Sequence, residues 1–235
     1  MAPVPSGPIP PFVVGFILSL GVSLTARMLR WLTTNGAIAA VLVGTLVFAS
    51  GGWARAGLLV LFVATSSVLT RWQASRKPHP EHAAGRSGAQ VLANGAVATV
   101  LSLPPLDAAP WAAVAFAGAI AASTADTWAT EIGLLAPSAP RLITTGQPIA
   151  PGQSGGITWQ GTLAGCIGAA AVAGAGAWWM STPVVPVVAA GSAAMVIDSV
   201  LGATVEGKYR WITNDVVNAL TTIAGAALAA ALSRS

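Results

Sequence analysis

Asp126, Glu131, Asp198, Glu206 and Asp215 are five of the seven acidic residues, and all five lie inside or at the mouths of strongly apolar segments. A carboxylate placed in hydrocarbon costs roughly 2.5–3.5 kcal/mol even on the lenient insertion scale, so five of them mark a site. Amides accompany the acids. Gln90 and Asn94 are four residues apart, as are Asn214 and Asn218, so each pair shares one helical face. Asp198 and Glu206 are eight apart, about 12 Å along a helix, and would line one cleft at two depths. Asp126 and Glu131 are five apart, about 140° around the axis, and would meet at one point only if the helix unwound.

A second group of residues suits phosphate. The connection from 135 to 156 carries Arg141, Thr144, Thr145 and Gly146, then Ser154, Gly155 and Gly156. Ser154-Gly-Gly156 reads as the opening of the next helix, where free N–H groups and the positive dipole end would hold an anion. Arg141 and the hydroxyls of Thr144, Thr145 and Ser154 would add donors. No Walker A ending and no dinucleotide fingerprint occur. Oxygen ligands beside a phosphate cradle point to Mg²⁺. Asp126, Asp198 and Asp215 are expected as direct or water-mediated ligands, with Glu131 and Glu206 as second choices. Asn94, Asn214 and Asn218 would orient phosphates or metal-bound water. Lys208 and Arg71 would neutralise charge, or anchor helix ends at lipid headgroups. His79 and His82 flank Pro80 and Glu81 without a third soft ligand and read as a solvated loop.

The elements that position these residues are membrane helices. The chain is 54% hydrophobic and 8% charged, with a mean hydropathy of +0.73. That composition describes an all-α, polytopic helical membrane protein, with no soluble domain of useful size. Eight helices are predicted, at roughly 12–30, 35–50, 56–72, 88–104, 111–134, 156–180, 184–206 and 212–232, bounded by Gly, Pro and Trp. The uncharged, Pro-rich start lacks the basic region of a signal peptide, so the first helix is expected to stay in the membrane. Nine of the eleven basic residues fall on one set of alternating connections, which predicts a cytoplasmic site and both termini outside. These residues form no stripe, so nucleic acid is not an expected partner. The single cysteine, Cys166, excludes an internal disulfide and reads as a packing residue. Gly161, Gly165 and Gly168 are spaced for close helix contact.

Short matches relate two halves, 1–106 and 107–235. Gly44-Thr-Leu46 matches Gly161-Thr-Leu163, Ser66-Ser-Val-Leu69 matches Asp198-Ser-Val-Leu201, and Gln90–Asn94 matches Asn214–Asn218. A parallel four-helix tandem repeat is expected, with the acids acquired in the second half.

Five motifs in order, Asp126-Thr-Trp-Ala-Thr-Glu131-Ile-Gly, Pro140-Arg-Leu-Ile-Thr-Thr-Gly146, Ser154-Gly-Gly-Ile-Thr158, Asp198-Ser-Val-Leu-Gly-Ala-Thr204 and Asn214-Asp-Val-Val-Asn218, resemble the membrane family that includes plant phytyl-phosphate kinase. The resemblance runs from about Asn35 to the end. It implies an integral membrane kinase that converts an isoprenyl monophosphate to a diphosphate with a nucleoside triphosphate, CTP being the expected donor. The chemistry agrees independently. A phosphate monoester has a second pKa of about 6 and is already ionised, so catalysis reduces to positioning and charge neutralisation. A transporter or flippase of an anionic lipid or ion is the main rival, and a lipid-phosphate phosphatase the next.

Overall fold

The computed structural model describes residues 9–78 and 85–234. The His79 and His82 reading lies outside the described residues. Seven α-helices occur among the described residues: α1 (Pro11–Met28), α2 (Thr34–Arg71), α3 (Gly88–Ser102), α4 (Ala112–Gly133), α5 (Trp159–Met180), α6 (Val184–Thr204) and α7 (Asn214–Leu232). Two short strands, β1 (Arg141–Leu142) and β2 (Gly156–Ile157), form an antiparallel pair between α4 and α5. Five helices, α1, α2, α5, α6 and α7, are long and apolar enough to cross a membrane, and α3 is a shorter apolar helix.

Seven helical elements stand where eight were expected, because the second and third expected helices join without a loop as the two arms of α2. Their junction is Gly52, whose φ of 68° and ψ of −164° interrupt α2. Only a residue without a Cβ takes that conformation at little cost. As a straight rod, α2 would hold Thr33 and Ser67 about 50 Å apart. Yet Arg86 touches both: its carbonyl accepts from the Thr33 N–H at 3.0 Å, and its Nη1 donates to Ser67 Oγ at 2.9 Å. The break at Gly52 therefore folds α2 back into two arms whose free ends meet at one end of the bundle.

Side-chain hydroxyls start four helices at that same end. Thr33, Ser87, Thr158 and Thr213 each accept a backbone N–H as the N-cap of α2, α3, α5 and α7. Such a cap contributes about 1 kcal/mol by satisfying an otherwise orphaned donor. Ser87 and Gln90 form a full capping box, which accounts for the Gln90 side chain.

The core sits around α4, which packs against α2, α3, α5, α6 and α7. Its first fourteen residues are buried apart from Ala113, and most are Ala, Gly or Ser. Small residues let helix backbones approach closely where hydrophobic burial gives no drive between helices. A Cβ on Gly161 would lie 2.5 Å from the Ala129 carbonyl, and one on Gly165 2.8 Å from that of Ala125. The packing role expected of these glycines holds. The fold also separates one pair that the repeat had matched. Gly44 lies well inside α2, whereas Gly161 lies in the first turn of α5.

Candidate active site

One cavity of about 830 Å³ opens at the end of the bundle where the N-caps cluster. Its walls come from the segment after α1, both ends of the helices that start or stop there, and the β1–β2 loop. The structure brings most of the expected site residues to it. Asn94, Asp126, Glu131, Ser154, Gly155, Gly156, Asp198, Glu206, Asn214, Asp215, Asn218 and Arg71 all line the cavity. Arg141, Thr144, Thr145, Gly146 and Lys208 do not. Arg141 is exposed on the outer side of the hairpin and donates from Nη1 to the Gly146 carbonyl at 2.8 Å. Thr144, Thr145 and Lys208 are exposed.

The Gly-rich segment does not open a helix. Gly156 belongs to β2, and α5 begins only at Trp159, after the Thr158 cap. The phosphate cradle expected at a helix N-terminus is therefore a hairpin arm. Its register follows from packing. Gly155 has a φ of 78°, and a Cβ there would stand 2.5 Å from that of Ala203 on α6. Ser154 Oγ donates to Glu206 Oε1 at 3.0 Å, which ties the arm to the end of α6.

The acids separate into distinct roles. Asp126 on α4 and Asp198 on α6 stand beside each other in the cavity, close enough for each charge to act on the other, and Glu206 lies near enough to act on both. Two carboxyl groups that close need a shared proton or a cation between them. Thr221 on α7 donates to Asp198 Oδ1 at 3.5 Å. Glu131 points elsewhere. Its Oε2 is 2.7 Å from Lys77 Nζ, both side chains are buried, and the same ammonium donates to the carbonyls of Leu69 and Thr70. α4 stays helical between Asp126 and Glu131, so the two do not converge. Glu131, expected among the metal ligands, stands here in an ion pair with Lys77. Asp215 sits in the first turn of α7, where a carboxylate complements the helix dipole.

Among the described residues, no group of three His, Cys, Asp or Glu side chains converges to hold a metal. The pair Asp126–Asp198 still fits Mg²⁺, which commonly takes one or two carboxylates and fills its octahedron with water and phosphate oxygens.

The same cavity holds a cluster of three arginines, of which sequence reasoning had picked out only Arg71. Arg30, Arg71 and Arg86 line the cavity, from the end of α1, the end of α2 and the start of α3. Arg71 Nη2 donates to the Arg30 carbonyl at 2.5 Å. Arg86 lies over the Phe62 ring at 5.5 Å, and burial pushes its guanidinium down to about 10, the Glu131 carboxylate acting against that shift. It remains charged at neutral pH.

Known proteins bear out the family resemblance. The family model described as integral membrane protein DUF92 matches residues 17–226. An uncharacterized membrane protein of Synechocystis sp., sll0875, is 30% identical over 225 residues, covering 91% of this chain and 86% of the relative. The uncharacterized membrane protein MJ0933 of Methanocaldococcus jannaschii is 30% identical over 216 residues, covering 90% of each. Protein VTE6, chloroplastic, of Arabidopsis thaliana is 27% identical over 213 residues, covering 84% of this chain and 64% of the relative. No solved structure matches the chain. With the family model spanning most of its length, the chain belongs to the DUF92 family of integral membrane proteins.

Proposed function

We propose that the protein is a membrane-embedded kinase that moves the γ-phosphoryl group of a nucleoside triphosphate onto an isoprenyl monophosphate such as phytyl or geranylgeranyl phosphate. CTP is the expected donor by family resemblance. One observation carries the reading: the Asp126–Asp198 pair and three arginines line one cavity large enough for polyphosphate. Cavities of about 300–1,000 Å³ are the usual size for small-molecule sites.

Asp126 and Asp198 would hold Mg²⁺, with Glu206 reaching it through water. The ion would neutralise charge on the phosphates. Arg30, Arg71 and Arg86 would bind the phosphate oxygens, a task suited to the planar guanidinium fork. Asn94, Asn214 and Asn218 would fix the orientation of the phosphates, and Ser154 would hold Glu206 in place. An oxygen of the acceptor phosphate attacks the γ-phosphorus. The bond to the nucleoside diphosphate breaks, and a P–O–P link remains on the lipid. The acceptor needs no general base, because it is already ionised. The barrier lies in bringing anions together, which Arg30, Arg71 and Arg86 reduce, and a cation held by Asp126 and Asp198 would reduce it further.

The site would face the cytoplasm, with both termini outside and each arm of α2 crossing once, giving eight crossings in all. The tandem repeat is supported by the N-caps, since Thr33 and Ser87 in the first half correspond in order to Thr158 and Thr213 in the second.

A transporter needs a polar path through the bundle. Beyond Ser123 the core around Val47, Leu58, Phe116, Ile120, Val172 and Val187 is apolar, and the buried charge past it, Arg55, is held by the Leu101 carbonyl at 3.0 Å and lies over the Phe116 ring. The test incubates purified protein with Mg²⁺, geranylgeranyl phosphate and each nucleoside triphosphate in turn, and identifies lipid products by mass. Nucleotide-dependent diphosphate supports the kinase. Phosphate release without nucleotide would assign a phosphatase, and lipid or ion flux in vesicles without any product would assign a transporter.

A further inference from the structure

A second cavity, of about 820 Å³, lies on the outer side of α5. Its walls are mainly apolar: Trp159, Leu163 and Cys166 on one side, and Ala139, Pro148 and Ile157 of the hairpin on the other. Trp159, Leu163 and Ile167 are exposed at four-residue intervals, so this face of α5 meets lipid. From Trp159 to Cys166 the groove runs about 10 Å along the helix. Ile157, Thr158 and Thr162 line both this groove and the polar cavity, so a single layer of side chains divides them. Arg141, absent from the polar cavity, stands at the groove instead.

We propose that this groove receives the isoprenyl chain of the lipid phosphate, with the phosphate entering the polar cavity past Ile157, Thr158 and Thr162 and Arg141 meeting the anionic end at the rim. The inference rests on the kinase reading for the identity of the headgroup. An anionic head and an apolar tail need adjoining polar and apolar compartments, open to the bilayer on the apolar side, and this is where the structure has both. The positive charge of Arg141 marks the end at which an anion would sit. The phosphate role expected of Arg141 would then lie at the neck of the lipid rather than in the nucleotide cradle.

Cys166 is the only cysteine in the chain and lies half-buried in the groove, so it reports occupancy without mutation. The experiment follows maleimide alkylation of the full-length protein in detergent, without nucleotide. Geranylgeranyl phosphate at about ten times its Kd should slow labelling about tenfold, because the free fraction falls as 1/(1 + [L]/Kd). Inorganic phosphate and phosphatidic acid at the same concentration should give no protection. Equal protection by phosphatidic acid would make the groove an ordinary lipid site and overturn the proposal. Unchanged labelling would overturn it too. Leu163→Trp, at an exposed position that does not threaten folding, should raise KM for geranylgeranyl phosphate while leaving KM for nucleotide unchanged. Protection without any phosphoryl transfer would sink the kinase reading and keep the groove; transfer with no protection and a silent Leu163→Trp would do the reverse.

Discussion

Replacing Glu131 separates structural from catalytic acids in this protein. Its carboxylate is 2.7 Å from Lys77 Nζ, with the two side chains 9% and 5% exposed. At an effective dielectric of about 20, that separation gives an attraction of about 6 kcal/mol before desolvation is subtracted. Breaking a buried pair from one side typically costs about 3–5 kcal/mol, because the other charge is left uncompensated. Lys77 keeps two carbonyl acceptors, those of Leu69 and Thr70, so the lower end of that range applies. Glu131→Leu is therefore expected to destabilise by about 3 kcal/mol, and Lys77→Met by a similar amount. The double variant, with two apolar side chains of comparable volume, should return to within about 1 kcal/mol of wild type, since a buried pair is often no better than its hydrophobic replacement. The assay is reversible unfolding in mixed micelles across the four-member cycle. Mg²⁺ affinity, read by displacement of bound Mn²⁺ in the presence of nucleotide, should be unchanged in Glu131→Gln. Single variants that cost nothing, with Mg²⁺ affinity lost in Glu131→Gln, would show that Glu131 is a metal ligand and that the ion pair is incidental.

Other outcomes follow from the same geometry. Gly155→Ala places a Cβ at a left-handed residue against Ala203. The backbone penalty alone is about 1–2 kcal/mol, a drop in Tm of about 2–8 °C for a chain of this size by calorimetry in detergent. A Tm equal to wild type would mean that the hairpin arm does not pack on α6 as described. Lys208→Gln should keep kcat/KM within about twofold, since exposed charges away from a site act weakly; a loss of a hundredfold would put Lys208 back among the phosphate ligands. Removal of Mg²⁺ with excess chelator should abolish transfer and re-addition should restore it, whereas activity that survives chelation would leave the Asp126–Asp198 pair without its proposed cation.

The sequence carried the helices well, and for a physical reason. Long apolar runs ending in Gly, Pro or Trp leave little freedom for where a span begins and ends, and six of the eight expected segments match a helix of their own to within a few residues. Gly52 escaped because a Gly-Gly pair between apolar runs reads the same whether the chain leaves the helix in a loop or turns within one residue. The hairpin between α4 and α5 escaped for a related reason. A glycine at positive φ serves a helix entrance and a tight hairpin equally, and only its contact with Ala203 distinguishes them. The acids were legible because burial makes each one expensive, but their partners were not. Lys77 and Glu131 are 54 residues apart, and nothing local to either announces the pair. The arginine cluster was least visible. Arg30, Arg71 and Arg86 are ordinary helix-end cations until the fold-back of α2 gathers them around one opening.

Asp198, the acid beside Asp126 in the cavity, carries the proposed site. Diphosphate formed from geranylgeranyl phosphate is quantified by mass for wild type and Asp198→Asn at saturating Mg²⁺ and nucleotide, in protein shown to be folded by its unfolding transition. A fall of at least about a hundredfold is expected, the scale of losing one electrostatic contact to the transition state. A folded Asp198→Asn variant that makes diphosphate at the wild-type rate would contradict the paired-carboxylate site and the phosphoryl-transfer mechanism built on it.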